Sequence, residues 1–151
     1  MCLPRTAARS ILWTIAVPLL VFAQAAMASG ERFESKDHDY VAVTLADGLD
    51  RPWGMAFLPD GEGILITEKT GAVRLYRDGV LSGAIEGAPN SVTWGQGGLL
   101  DVAIHPDFKS NRLVYFSYAG RGEGGAGTEL ARARFTGNAF EDLQVLFKAR
   151  P

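Results

Sequence analysis

Cysteine is nearly missing from this 151-residue chain; the one copy is Cys2. Without a second thiol no intrachain disulfide forms, and without clustered thiolates no thiolate metal site can be built. Histidine is almost as scarce, with His38 and His105 only. An excess of one charge is lacking too. Fifteen Lys and Arg face 17 Asp and Glu, for a formal net charge of −2 at pH 7. That balance speaks against a nucleic-acid binder, whose electrostatic footprint is a basic excess. No stretch after residue 28 carries a 3.6-residue apolar period over ten or more positions, which excludes long amphipathic helices.

One long apolar run is present, and it lies at the start. Arg5 and Arg9 precede the run from Ile11 to Ala23, and Ala26-Met27-Ala28 follows. A basic end, a short apolar core and small residues at the cleavage positions read as a secretory signal peptide over residues 1–28. The rival reading is a retained N-terminal anchor, for which the run is short and wrongly flanked. Nothing later has the apolar length of a spanning helix. The expected mature chain is free of cysteine. All 17 acidic residues lie in it, against 13 Lys and Arg, so its formal charge is −4. The expected location is periplasmic or secreted, with no membrane anchor.

What the chain has instead is a phrase stated twice. Met55-Ala56-Phe57-Leu58-Pro59-Asp60 returns 47 residues later as Val102-Ala103-Ile104-His105-Pro106-Asp107. Each copy leads, after a polar gap, into a strand-like run: Ile64 to Thr67, then Leu113 to Phe116. A repeat of about 40–50 residues made of short strands and Gly/Pro/Asp turns marks a β-propeller blade. A propeller closes with at least about four blades, and this length holds two to three. The chain is therefore expected to be the N-terminal part of a larger ring, all-β, with residues 29–39 as a loose polar leader and 40–151 as propeller.

Along that region, Tyr40 to Leu45 reads as a first strand and Trp53 to Leu58 as the next. Gly63 to Glu68 suits the middle of a sheet. Ala72 to Arg77 alternates like a half-solvated strand ending at the Asp78-Gly79 hairpin turn. Val80 to Val92 is irregular, Gly120 to Gly127 reads as a flexible loop, and Thr128 to Phe135 alternates again.

The stretch Gly95-Gln96-Gly97-Gly98-Leu99-Leu100-Asp101-Val102-Ala103-Ile104-His105-Pro106-Asp107-Phe108 is too particular for generic turn chemistry. It resembles the signature of the soluble quinoprotein sugar dehydrogenases, the glucose/sorbosone dehydrogenase family that uses pyrroloquinoline quinone (PQQ). Arg51 to Gly61 and Leu65-Ile66-Thr67-Glu68-Lys69 are similar to that family's opening blade. The resemblance runs from about Val43 to Pro151.

It implies a six-bladed propeller with PQQ over the central channel and calcium bound. It also implies an aldose substrate oxidised at its anomeric carbon to a lactone, and an electron acceptor that takes the electrons onward. The family's catalytic histidine would fall just past Pro151, so no catalytic residue and no metal ligand is expected within these residues, and the chain alone is expected to be inactive.

Gln96 is the position carried over as a cofactor contact, because an amide can both donate and accept toward quinone or carboxylate oxygens. Gly95, Gly97 and Gly98 would let backbone approach the ligand, with Gly95, Gly97 and Asp101 as weaker candidates beside Gln96. Asp101 alternatively bonds neighbouring turn amides.

His105 corresponds to Leu58 in the other copy, so it is expected to pack or cap its turn. His38 is expected to be solvated. Asp60 and Asp107 read as turn formers, Glu68-Lys69 as an exposed pair, and Trp53 and Trp94 as packing between blades rather than a sugar platform. Gly120 to Gly127 lacks the ending and the helix of a phosphate loop. The rival function is a non-catalytic propeller used for binding or adhesion, since fold does not settle function. A propeller lactonase is a third reading, for which Asp101 alone supplies too few carboxylates.

Overall fold

The computed structural model describes residues 30–149. The expected signal peptide over residues 1–28 lies outside the described residues. Ten strands form three antiparallel sheets. A hairpin pairs β1 (Glu31–Phe33) with β2 (Tyr40–Ala42). The first four-stranded sheet runs in chain order through β3 (Pro52–Phe57), β4 (Ile64–Glu68), β5 (Val73–Arg77) and β6 (Val80–Leu81). The second does the same with β7 (Leu99–Ile104), β8 (Leu113–Gly122), β9 (Gly125–Phe135) and β10 (Phe140–Lys148). Four-stranded meanders in succession are propeller blades.

The 47-residue repeat is a repeat of hydrogen bonds. Met55 pairs with Ile66 and its counterpart Val102 with Phe116. Leu58 N donates to Gly63 O at 2.8 Å, and His105 N to Leu113 O at 2.9 Å. Each inner strand slips register at the same place, between Pro52 and Met55 and between Leu99 and Val102. The amide freed by each bulge finds a hydroxyl on the next strand. Gly54 N donates to Thr67 Oγ1 at 2.9 Å, and Asp101 N to Ser117 Oγ at 3.1 Å. A buried amide without such a partner would destabilise the sheet.

Between the two sheets lies one core. Leu65, Val73, Leu99, Val114, Phe116 and Phe135 are all fully closed from solvent. Phe116 stands edge-on to Phe140, ring centres 5.0 Å apart. Thr67 ties the sheets directly: its buried hydroxyl donates to Leu100 O, 2.5 Å away in the second sheet. At the turn end, Lys109 Nζ reaches Asp60 Oδ1 at 2.7 Å, and Arg112 pairs with Glu62 at 2.7 Å while lying over the Phe108 ring. The Arg112 guanidinium holds the Glu62 carboxyl below the ordinary glutamate range.

Three expectations are corrected. Residues 30–39 are not a loose leader throughout, because Glu31–Phe33 pairs with Tyr40–Ala42. The Phe33 and Tyr40 rings stack at 5.3 Å and Arg32 pairs with Asp39 at 2.9 Å, which the polar composition concealed. Strand β2 stops at Ala42 rather than Leu45. The glycine-rich stretch 120–127 is a strand pair, Gly120 opposite Gly127 and Gly122 opposite Gly125. A side chain at Gly120 would collide with the Glu129 carboxylate, so glycine is required for packing there rather than for flexibility. A short helical turn, α1 (Phe108–Asn111), sits inside the second blade's Pro-Asp turn and inserts Phe108 into the core, where the first blade has a 3-10 turn over Pro59–Gly61.

That hairpin also encloses a polar pair. Tyr118 Oη donates to Glu129 Oε2 at 2.7 Å, and both residues are buried. Burial first, then the adjacent carboxylate, push the Tyr118 hydroxyl well above the ordinary tyrosine range. The folded chain keeps this proton, whereas the unfolded chain releases it near about pH 10. Its contribution is therefore complete below that pH and declines as pH rises past it. Chemical denaturation between about pH 9 and 11 is expected to show an alkaline loss of stability that Tyr118→Phe reduces.

Candidate functional site

The segment before β7 turns sharply at Trp94 to Gly98. Gly97 N donates to Trp94 O at 2.7 Å, closing the turn, and Gly95 has a positive φ of 53°. Lys69 holds the corner from the neighbouring sheet. Its Nζ donates to Gly95 O at 2.6 Å, its carbonyl accepts from Leu99 N at 3.1 Å and Thr93 Oγ1 at 3.2 Å, and its ammonium lies 5.7 Å from the Trp53 ring centre. The expected exposed pair Glu68-Lys69 is therefore not one. Glu68 is buried, accepting Asp50 N at 2.8 Å and facing Arg74 at 3.4 Å. The internal repeat did not mark Lys69, since its counterpart in the other copy is Ala119.

The candidates divide. Gly95, Gln96 and Gly97 share a depression of about 290 Å³ whose far wall is Ala126 to Thr128 of β9. Gln96 is exposed, and its amide makes no hydrogen bond among the described residues. Gly98 is buried, and a side chain on it would strike the Lys69 carbonyl. Its bareness serves sheet-to-sheet packing, and Gly97 similarly backs onto Ala119. Asp101 lies elsewhere, in a smaller hollow of about 130 Å³ with Ala103, Tyr115 and Ser117. Its Oδ1 accepts the next residue's amide, Val102 N, at 2.9 Å, the structural role weighed for it from sequence.

His105 caps its turn as expected: Nδ1 lies 2.9 Å from both Asp107 N and the Asn111 amide, and its ring stacks on Tyr115. It follows β7, whereas Gln96 precedes it, so the two are at opposite ends of that strand. His38 is exposed. Trp94 and Trp53 do not pack between the two sheets; Trp94 is 81% exposed and Trp53 50%. The sequence reading also missed Arg121, which lines an adjoining depression of about 300 Å³ with Trp94. No cluster of three or more His, Cys, Asp or Glu able to hold a metal ion exists among the described residues. Among them, no helix is long and apolar enough to cross a membrane.

Successive four-stranded meanders with the same bulge in each inner strand define part of a β-propeller. A family model described as Glucose / Sorbosone dehydrogenase matches residues 49–151, and the chain belongs to that family. It is 40% identical over 111 residues to the aldose sugar dehydrogenase YliI of Escherichia coli, covering 71% of this chain and 30% of that protein. It is 29% identical over 106 residues to quinoprotein glucose dehydrogenase B of Acinetobacter calcoaceticus, covering 67% of this chain and 22% of that protein. A crystal structure of a glucose dehydrogenase superposes with a TM-score of 0.68 at 46% identity, over 71% of this chain and 32% of that one. The chain thus spans under a third of the length of these relatives.

Proposed function

We propose that this chain supplies part of an exported quinoprotein that oxidises the anomeric carbon of aldoses to lactones, with PQQ as hydride acceptor and a further electron acceptor downstream. The observation that carries the reading is the corner at Gln96, a free amide presented on a backbone turn within the segment that matches the family.

The donor set suits one edge of a flat, carboxylate-bearing ring system. Gln96 can donate and accept, Arg121 offers a cation beside the exposed Trp94 indole, and Gly95 keeps side-chain bulk off the turn. When bound, PQQ supplies the hydride-accepting quinone. This chain's part is to orient that edge, with Lys69 keeping the turn in place. No residue of the depression is a general base within reach of a sugar hydroxyl there, so the chain alone is proposed to be inactive.

Equilibrium dialysis of PQQ against the purified chain tests the corner. Gln96→Leu is expected to weaken binding about threefold to tenfold, the worth of one hydrogen bond. Equal affinity in the variant, or no binding by the unaltered chain, rejects the assignment. Where the reading frame continues past Pro151, the longer product distinguishes the two function classes. PQQ-dependent aldose oxidation supports the enzyme, and binding without oxidation supports a recognition module.

A further inference from the structure

The corner that presents Gln96 is gripped by the same strand position of both blades. In its own blade, Ala119 of β8 pins the two ends of the loop through backbone groups. Val92 N donates to Ala119 O at 2.7 Å, and Ala119 N donates to Gly98 O at 2.8 Å. Ile66 and Phe116 hold equivalent places in the two sheets, so Lys69 is the counterpart of Ala119 in the first. The lysine backbone is itself fixed, its N–H donating to Arg51 O at 3.0 Å. From that post its carbonyl accepts Thr93 Oγ1 and Leu99 N, on either side of the tip. Its ammonium crosses to the tip and donates to Gly95 O at 2.6 Å.

Between those pins the tip, residues 94–97, has little else to hold it. Its one backbone bond, Gly97 N to Trp94 O at 2.7 Å, lies within the tip. Trp94, Gly95 and Gln96 are all exposed. Among the described residues, Lys69 is the one side chain that bonds the tip. That bond carries a full positive charge on the donor, which makes it stronger than a neutral one. The other partner of the ammonium is the Trp53 ring, in its own blade.

We propose that Lys69 is the positioning residue of this corner: from the neighbouring blade it sets where the Gln96 amide stands, so that ligand affinity in the second blade depends on the first. Loss of the ammonium frees the tip while the ends stay pinned to Ala119. A ligand that needs Gln96 in place then binds only the molecules whose tip is in place, and its apparent affinity falls by that fraction. The statement about affinity rests on the cofactor reading, whereas the placement of the tip rests on geometry alone.

Amide hydrogen exchange of the purified chain, with Lys69→Met and Lys69→Arg beside it, tests the placement without any ligand. In Lys69→Met, Gly97 N–H is expected to exchange about tenfold faster, the worth of one hydrogen bond. Val92 and Ala119 N–H and the urea midpoint are expected to stay as in the unaltered chain. Lys69→Arg keeps a cationic donor and is expected to restore slow exchange at Gly97. Unchanged Gly97 exchange in Lys69→Met, equal quickening at Val92 and Ala119, or no recovery in Lys69→Arg would each overturn the proposal. Equilibrium dialysis of PQQ adds the ligand arm. Binding about threefold to tenfold weaker in Lys69→Met, recovered in Lys69→Arg, is expected, and equal affinity in Lys69→Met overturns the dependence on the first blade. Absence of PQQ binding by the unaltered chain overturns the cofactor reading and the affinity statement with it, while the exchange pattern decides the placement of the tip either way.

Discussion

Phe116→Ala is expected to cost about 3–5 kcal/mol, the range for truncating a large aromatic in a closed core. Phe116 has no solvent exposure, and its ring meets Phe140 edge-on at 5.0 Å, while Phe135 packs on the same Phe140 at 5.2 Å. One substitution therefore removes one ring of the three-ring cluster, centred on Phe140, that joins β8, β9 and β10. Domains of ordinary size are stable by only about 5–15 kcal/mol, so the urea transition should shift to low denaturant or vanish. Phe116→Leu keeps most of the volume and should cost much less. A Phe116→Ala midpoint within error of the unaltered chain would show that the two sheets do not share this core.

Thr67→Val tests the seam between the sheets in a different way. The swap conserves shape but removes the hydroxyl that accepts Gly54 N and donates to Leu100 O. Both groups are then left without a partner inside a closed junction, a penalty of about 1–3 kcal/mol for each unsatisfied group. Thr67→Ser keeps the hydroxyl and loses only a methyl group, so it should recover much of the stability. Amide exchange adds a local readout, with Gly54 N–H expected to exchange faster in the valine variant and not in the serine variant. Equal stability of the valine and serine variants would remove the hydroxyl from any bridging role.

Much of the architecture could be read from residue order. The recurring hexapeptide located both inner strands, and the structure returned it with the same register slip in each copy. Asp78-Gly79 placed a hairpin turn that both residues occupy with positive φ. His105, as the counterpart of Leu58, was legible as a turn residue, and its ring nitrogen accepts the Asp107 amide.

What stayed hidden depended on partners distant in the chain. Gly98 reads as room for a ligand and Gly120 as flexibility in one dimension, but each is bare because a Lys69 carbonyl or a Glu129 carboxylate occupies the space. Lys69 carries no local pattern, since its role is to reach Gly95 O, 26 residues away. Thr67 and Ser117 were read as ordinary strand residues, because a bulge declares itself only once two strands are paired. Of the carried-over positions, Gly95, Gln96 and Gly97 share one hollow, while Asp101 lies in another. Sequence adjacency alone did not separate them.

The most direct measurement is aldose-dependent reduction of a redox dye by the purified chain, with PQQ and calcium added and a range of aldoses offered. Reduction no faster than the blank without sugar is the predicted result, because on the proposed reading these residues contribute only a cofactor-facing corner, with no proton acceptor among the residues that line it. Sustained turnover that requires both PQQ and sugar would contradict that division of labour.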